Sequence, residues 1–286
     1  MHTERTNKSF YKERINVIIE YIQNHLDSKI DLKTLAELSH FSPFHFHRIS
    51  SALLGEPIGS YISRVRMESA AKRLCFSKES IEQIAFSVGF ETPSSFSKKF
   101  KQHFGMTPSA YRTLDNFTIK KTDVMTQVLN IKKPKILDIE EQHCLYYRMQ
   151  GAYQTLDYGL AWQKLWDVVK SQKLFTKGIK HIGLPYDDPT VTEEHKLRYD
   201  ACLVIHKDAV PEGDVGVKTL EGGKFAMFLY QGSYKYFGDV YNFMFNDWLL
   251  QTDYELRDVP VRERYISHPD RVAEDKLKTE FYIPIK

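Results

Sequence analysis

The 286-residue chain has no apolar run long enough to span a bilayer. Its first twenty residues are charged and lack the apolar stretch of a secretory leader. Both absences point to a cytoplasmic protein with no membrane partner. Cysteine is scarce: Cys75, Cys144 and Cys202 lie far apart and form no CxxC pair. That excludes a disulfide scaffold or a zinc ribbon and leaves three reduced thiols. No metal or cofactor is expected.

A hydrophobic content of 42% and a charged content of 27% are those of a globular protein, and the length suits two domains. The net charge of +3 conceals an asymmetry. Residues 1–121 hold 18 Lys and Arg against 12 Asp and Glu, a net +6; residues 122–286 hold 22 against 25, a net −3. Thirteen of the 17 tyrosines and all three tryptophans fall in the second part. One half suits a polyanion and the other an apolar partner.

The basic half has helical periodicity. Ile15, Ile18, Ile19, Ile22 and Leu26 follow the spacing of an amphipathic helix. Asp31 is an N-cap residue before a short helix through Leu35, Ala36 and Leu38. Ser42-Pro43 is an N-cap followed by proline at the first helical position, and Gly55 is the matching C-cap. The stretch FSPFHFHR therefore enters a helix. His45 and His47, two apart, point to well-separated faces there, so they do not form a metal pair. Phe46, Ile49, Ser50 and Leu53 form a core face. Phe44, His47, Arg48 and Ser51 form another, with His45 beside it and no acidic residue between Ser42 and Leu54. These five are candidate contacts to an anionic partner.

The pattern repeats 49 to 50 residues on. Leu35-Ala36 through Pro43 recurs as Ile84-Ala85 through Pro93, and Phe46, Gly55 and Tyr61 recur as Phe96, Gly105 and Tyr111. Ser80 and Gln83 form a capping box. Each copy reads as helix, tight turn, capped second helix. The second copy buries Phe96, Phe100 and Phe104, and turns Ser94, Ser95, Lys98 and Lys101 outward, with Lys99 beside them. Ile58 to Leu74 reads as one continuous helix between the copies.

Residues 31–112, through LAELSHFSPFHFHR, GSYISRVRMESAAKRL and SIEQIAFSVGFETPSSFSKKFKQHFGMTPSAYR, resemble the DNA-binding domain of the AraC family of transcription regulators. The resemblance implies seven helices and two recognition helices, each entering a major-groove segment of double-stranded DNA. Phe44, His47, Arg48, Ser94, Ser95 and Lys98 then fall at reading positions. Lys99 and Lys101 suit phosphates.

The second half has a repeat of its own. CLYYRMQGAY from Cys144 recurs as FAMFLYQGSY from Phe225, 81 residues on. Each precedes a helical pattern: Leu160, Trp162, Leu165, Trp166 and Val169 in one, and Val240, Phe243, Met244 and Trp248 in the other. Further strands are expected at Ala201–His206, Val261–Ser267 and Thr279–Ile285. The expected architecture is a pseudosymmetric α+β domain with helices on one face of an antiparallel sheet. In VPVRERYIS, strand alternation puts Glu263 on an apolar face with Val259, Val261 and Tyr265. A carboxylate there needs an internal Arg or Lys, or a cation from outside.

Residues 128–286, through GGKFAMFLYQGSYKYF, WLLQTDYEL, VRERYISHP and KTEFYIPIK, look like the GyrI-like small-molecule-binding domain. The domain order resembles the Rob type of regulator. The resemblance implies an effector site at Glu263 ringed by aromatics, for which Tyr265, Tyr153, Trp166, Tyr234 and Tyr282 are candidates. The expected domains are 1–115 and 128–286 with a linker at 116–127. The expected function is transcription activation with RNA polymerase as a partner and a cationic aromatic effector. The rival readings make the second domain a hydrolase, with Glu263 and a tyrosine activating water, or a protein-interaction module.

Overall fold

A computed structural model describes residues 7–113 and 129–286, and of residues 7–9, 43 and 44 the backbone alone. The linker expected at 116–127 and the alternating stretch from Thr118 to Met125 lie outside the described residues. The chain forms two compact units, one helical and one α+β.

The helical unit runs α1 (Asn7–Asn24), α2 (Leu32–Leu38), α3 (Pro43–Leu54), α4 (Ile58–Phe76), α5 (Ile81–Ser87), α6 (Pro93–Phe104) and α7 (Pro108–Thr113). The caps stand where the residue types put them. Asp31 accepts from the Thr34 N–H, Ser42 from His45, and Ser80 from Gln83 within a reciprocal box. Gly55 and Gly105 end α3 and α6 with φ of 73° and 77°. Helix α4 is continuous and serves two cores. Ile58, Tyr61, Ile62 and Val65 pack with α1–α3, whereas Met67, Ala70, Ala71 and Leu74 pack with α5 and α6. Arg64, buried near the middle of α4, is paired with Glu56 at 2.7 Å and Glu68 at 3.0 Å.

The two turns between the paired helices match bond for bond. Phe41 N–H donates to Ala36 C=O at 3.1 Å, and Phe90 to Ala85 at 3.0 Å. His40 and Gly89 occupy the same left-handed position, with φ of 52° and 77°. Glycine adopts that conformation without strain; histidine does not.

The second unit contains β1 (Lys135–Ile139), β2 (Gln142–Gln150), α8 (Tyr158–Ser171), β3 (Lys180–Pro185), β4 (Arg198–Val204), β5 (Val215–Leu220), β6 (Gly223–Gln231), α9 (Phe237–Asn242), β7 (Arg262–Tyr265) and β8 (Lys278–Pro284). They build an eight-stranded sheet in the order β1-β6-β8-β7-β3-β4-β2-β5. The order is symmetric about the β7–β3 contact: β3, β4 and β2 on one side correspond to β7, β8 and β6 on the other. Gly151 N–H donates to Leu197 C=O, and Gly232 N–H to Leu277 C=O, the same contact in each half. Strands β1, β3 and β5 were not expected from the sequence.

Paired residues of an antiparallel sheet share a face. Glu263 pairs with Gly183 on β3 and with Phe281 on β8. Helices α8 and α9 cover that face, as Trp162 against Tyr265 and Tyr241 against Phe281 show. The pattern from Val240 to Trp248 is not one α-helix. After α9, Phe243–Trp248 widens into a π-helical turn, and Leu249–Gln251 tightens into a 3₁₀ turn. Among the described residues no helix is long and apolar enough to cross a membrane.

Candidate functional site

On α3, Phe46 and Ser50 are buried while His45, His47 and Arg48 are exposed, as their spacing requires. Phe44 lies one residue before His45 on the first turn. Ser51 departs from the expected strip. It is half-buried, and its hydroxyl is out of solvent with no hydrogen-bond partner among the described residues. It borders the core face instead of extending the outer one. On α6, Phe96 and Phe100 are fully buried, and Ser94, Ser95, Lys98 and Lys101 are exposed, with Lys99 half-buried. The Ser95 hydroxyl donates to the Thr92 carbonyl at 2.8 Å, so it already serves the helix start. The exposed face of α6 thus offers lysines more than free hydroxyls.

In the sheet unit, Glu263 is only 5% exposed. The Tyr265 hydroxyl donates to its Oε2 at 2.6 Å and the Tyr241 hydroxyl to its Oε1 at 2.8 Å. Tyr199 lies 2.8 Å from the Tyr265 oxygen. Since Tyr265 spends its proton on the carboxylate, Tyr199 donates to Tyr265, and the hydroxyls form a directed chain. No ion pair to Glu263 occurs among the described residues. Burial pushes the Glu263 carboxyl up, against the lowering effect of the two hydroxyl bonds. Burial first, then the charge of Glu263, raises Tyr199, Tyr241 and Tyr265 well above the ordinary tyrosine range and Tyr234 to about 12.

Asp200 on β4 shows what an internally paired carboxylate looks like here. Burial would raise it, but Arg148 and Lys218 override burial and hold it well below the usual range. Arg148 meets it at 2.8 Å, and Tyr186 donates to it at 2.9 Å. Glu263 has the burial without such cations among the described residues.

The walls around Glu263 are aromatic and half-buried. Tyr234 meets Tyr265 edge-on at 5.6 Å, and Trp162 meets it at 6.1 Å. Tyr153 and Tyr158 pack on Tyr199 at 6.1 and 5.2 Å. The rings pack edge-on against one another around the carboxylate, and where their faces are exposed they can attract a cation.

The matching family models cover both units. A GyrI-like small molecule binding domain matches residues 132–286, and a helix-turn-helix domain matches residues 35–113. The chain belongs to the AraC family and carries a C-terminal GyrI-like domain. The HTH-type transcriptional activator AarP of Providencia stuartii is 32% identical over 39% of this chain and 82% of its own. The uncharacterized HTH-type transcriptional regulator YbfP of Bacillus subtilis (strain 168) is 36% identical over 40% of this chain. The chain spans 39% of the length of YbfP. Among solved structures, an EcmrR–DNA complex aligns with a TM-score of 0.47 and 17% identity, over 55% of this chain and 58% of that one.

Within the GyrI-like domain the expected residues divide. Glu263, Tyr265, Tyr234 and Tyr153 come together. Trp166 stands one ring further out, hydrogen-bonded to His181, and Trp162 takes the place beside Tyr265. Tyr282 is on the other face. It pairs with Arg262 across β7–β8, and its hydroxyl donates to Glu280, which also binds Arg264. Tyr241, Tyr199 and Gly183 were not anticipated. The signal for Gly183 was a glycine inside an apolar strand, which marks a close approach.

Proposed function

We propose that the chain is a ligand-responsive transcription activator. It reads double-stranded DNA with α3 and α6, and a small flat cationic effector at Glu263 biases its action with RNA polymerase. The observation that carries the effector half is Glu263 itself: a buried carboxylate met by two tyrosine hydroxyls and, among the described residues, by no cation, with half-buried aromatic rings beside it. A buried charge without a counter-charge is costly, and a bound cation relieves that cost. The exposed His47, Arg48, Lys98 and Lys101 on the two capped helices support the DNA half. The relative AarP is named a transcriptional activator, which supports the direction of regulation.

The test is a selection of bound DNA sequences from a random pool, with and without a panel of cationic aromatics. Enrichment of one extended site, with its occupancy or transcription changed by some cations, is the expected result. No enrichment over random DNA would overturn the reading.

A further inference from the structure

The aromatic surface around Glu263 does not stop at Tyr265. Trp162 and Trp166, four apart on α8, lie on one helix face. The Trp162 ring meets Tyr265 at 6.1 Å and the His181 ring at 5.1 Å. Trp166 lies 5.6 Å from His181 and stacks on Phe175 at 5.9 Å, with the ring planes 22° apart. Rings therefore run in unbroken contact from the buried carboxylate to Phe175, which is 59% exposed.

This ledge is built, not incidental. Helix α8 ends at Ser171; Lys173, two residues on, has a φ of 56°, and the next N–H, of Leu174, returns to the Val169 carbonyl at 2.9 Å. The turn drives Leu174 into the core and leaves Phe175 outside, flat against Trp166. Lys207 holds the turn by donating to the Lys173 carbonyl at 2.8 Å. Trp166 is fixed by its own N–H, which donates to His181 Nε2 at 3.2 Å. A ring that accepts there is neutral at that nitrogen. Burial, then His268, lowers the His181 pKa, so the ledge does not repel a cation at neutral pH.

We propose that Trp162, Trp166 and Phe175 form a second subsite, which takes a flat apolar ring tethered to the cation held at Glu263. The preferred effectors are then elongate two-ring cations, with the charge at one end and an aromatic group at the other. This rests on Glu263 being a ligand contact. An ordered ledge loses little freedom on binding, so the second ring adds affinity through stacking.

Titration calorimetry on the full chain tests it with three probes. Benzyltrimethylammonium has one ring and a charge. Neopentylbenzene is its uncharged isostere. The third is a benzyldimethylammonium that also carries a phenyl-terminated alkyl chain. Wild type should bind the two-ring cation more tightly than the one-ring cation. Phe175→Ala, at an exposed site, should cut that preference by about three- to tenfold and leave the one-ring cation unchanged. Phe175→Tyr should restore it. Equal loss on both cations, or a preference that survives Phe175→Ala, overturns the ledge. Glu263→Gln should weaken both cations by the same factor and spare neopentylbenzene. If Glu263→Gln changes neither cation while the Phe175-dependent preference stands, the acidic pocket is overturned and the ledge is not.

Discussion

Gly183 and Tyr199 compete for one position: the place a Cβ on Gly183 would take is filled by the Tyr199 hydroxyl. Gly183 faces Glu263 across the central strand pair, where the two halves of the sheet meet. One half thus contributes a carboxylate at this point, and the other half contributes the space for the hydroxyl chain that reaches it.

Gly183→Ala should therefore destabilise the domain by about 1–3 kcal/mol through overpacking. Tyr199→Phe should cost about 1 kcal/mol for its hydrogen bond to Tyr265. The double variant should cost less than the two together, because the methyl then enters the volume the hydroxyl has left. Urea unfolding of the four proteins measures the coupling. Additive losses would mean that Gly183 is small for another reason.

The Glu263 charge should be visible in pH. Its folded pKa is raised above the usual 4.5, so its contribution to stability is complete below that value and is lost as pH rises through the folded pKa. A bound cation lowers the pKa again. Binding then releases a proton, and affinity rises by up to about tenfold per pH unit until the pKa of the unliganded domain is passed. Glu263→Gln should flatten this dependence and slightly stabilise the unliganded protein at neutral pH. Calorimetry over a pH series, in buffers of different ionisation enthalpy, counts the proton directly; no proton released at any pH where affinity still rises would contradict the assignment.

The paired turns of the helical unit make a contrast at matching positions. A Cβ on Gly89 would run into the Leu26 carbonyl and the Arg66 guanidinium, and its φ of 77° strains any other residue. Gly89→Ala should cost about 2–4 kcal/mol. His40 already bears the same strain at a φ of 52°. His40→Gly should therefore be neutral, or stabilising by up to about 1 kcal/mol. Thermal melts settle both, and a large loss for His40→Gly would show that its side chain holds the turn.

The helical unit was legible because its signals are local. Asp31, Ser42, Ser80, Gly55 and Gly105 each act within one turn of themselves, so residue type and spacing decide the element. The sheet unit was legible in β2, β4, β6, β7, β8 and α8, but not in β1, β3 or β5. Strand β3 is six residues with a glycine inside, too short and too broken to stand out. Tyr282 is a candidate from the sequence only as one of the aromatic rings the resemblance implies around Glu263, and which residues share a face depends on register. Tyr282 pairs with Arg262, and Phe281 takes the place opposite Glu263. Tyr241 could not be found from spacing either. It reaches Glu263 only because α9 folds back over the sheet, a contact no local pattern encodes.

On the proposed reading, helices α3 and α6 should fail in different ways. Arg48 is exposed on α3, and its planar fork can meet a guanine edge with two bonds. Arg48→Ala should cost about 1–3 kcal/mol on the preferred site and relax the preference at one base pair, with little change on random DNA. Lys101 is exposed in the last turn of α6, where a flexible ammonium meets phosphate more readily than a base edge. Lys101→Ala should weaken binding to all sequences alike and reduce the slope of log affinity against log salt by about one. Fluorescence anisotropy on the selected site and on a scrambled one, across a salt series, separates the two. Equal losses on both DNAs for Arg48→Ala would remove it from base reading. A loss confined to the selected site for Lys101→Ala would move specificity onto α6.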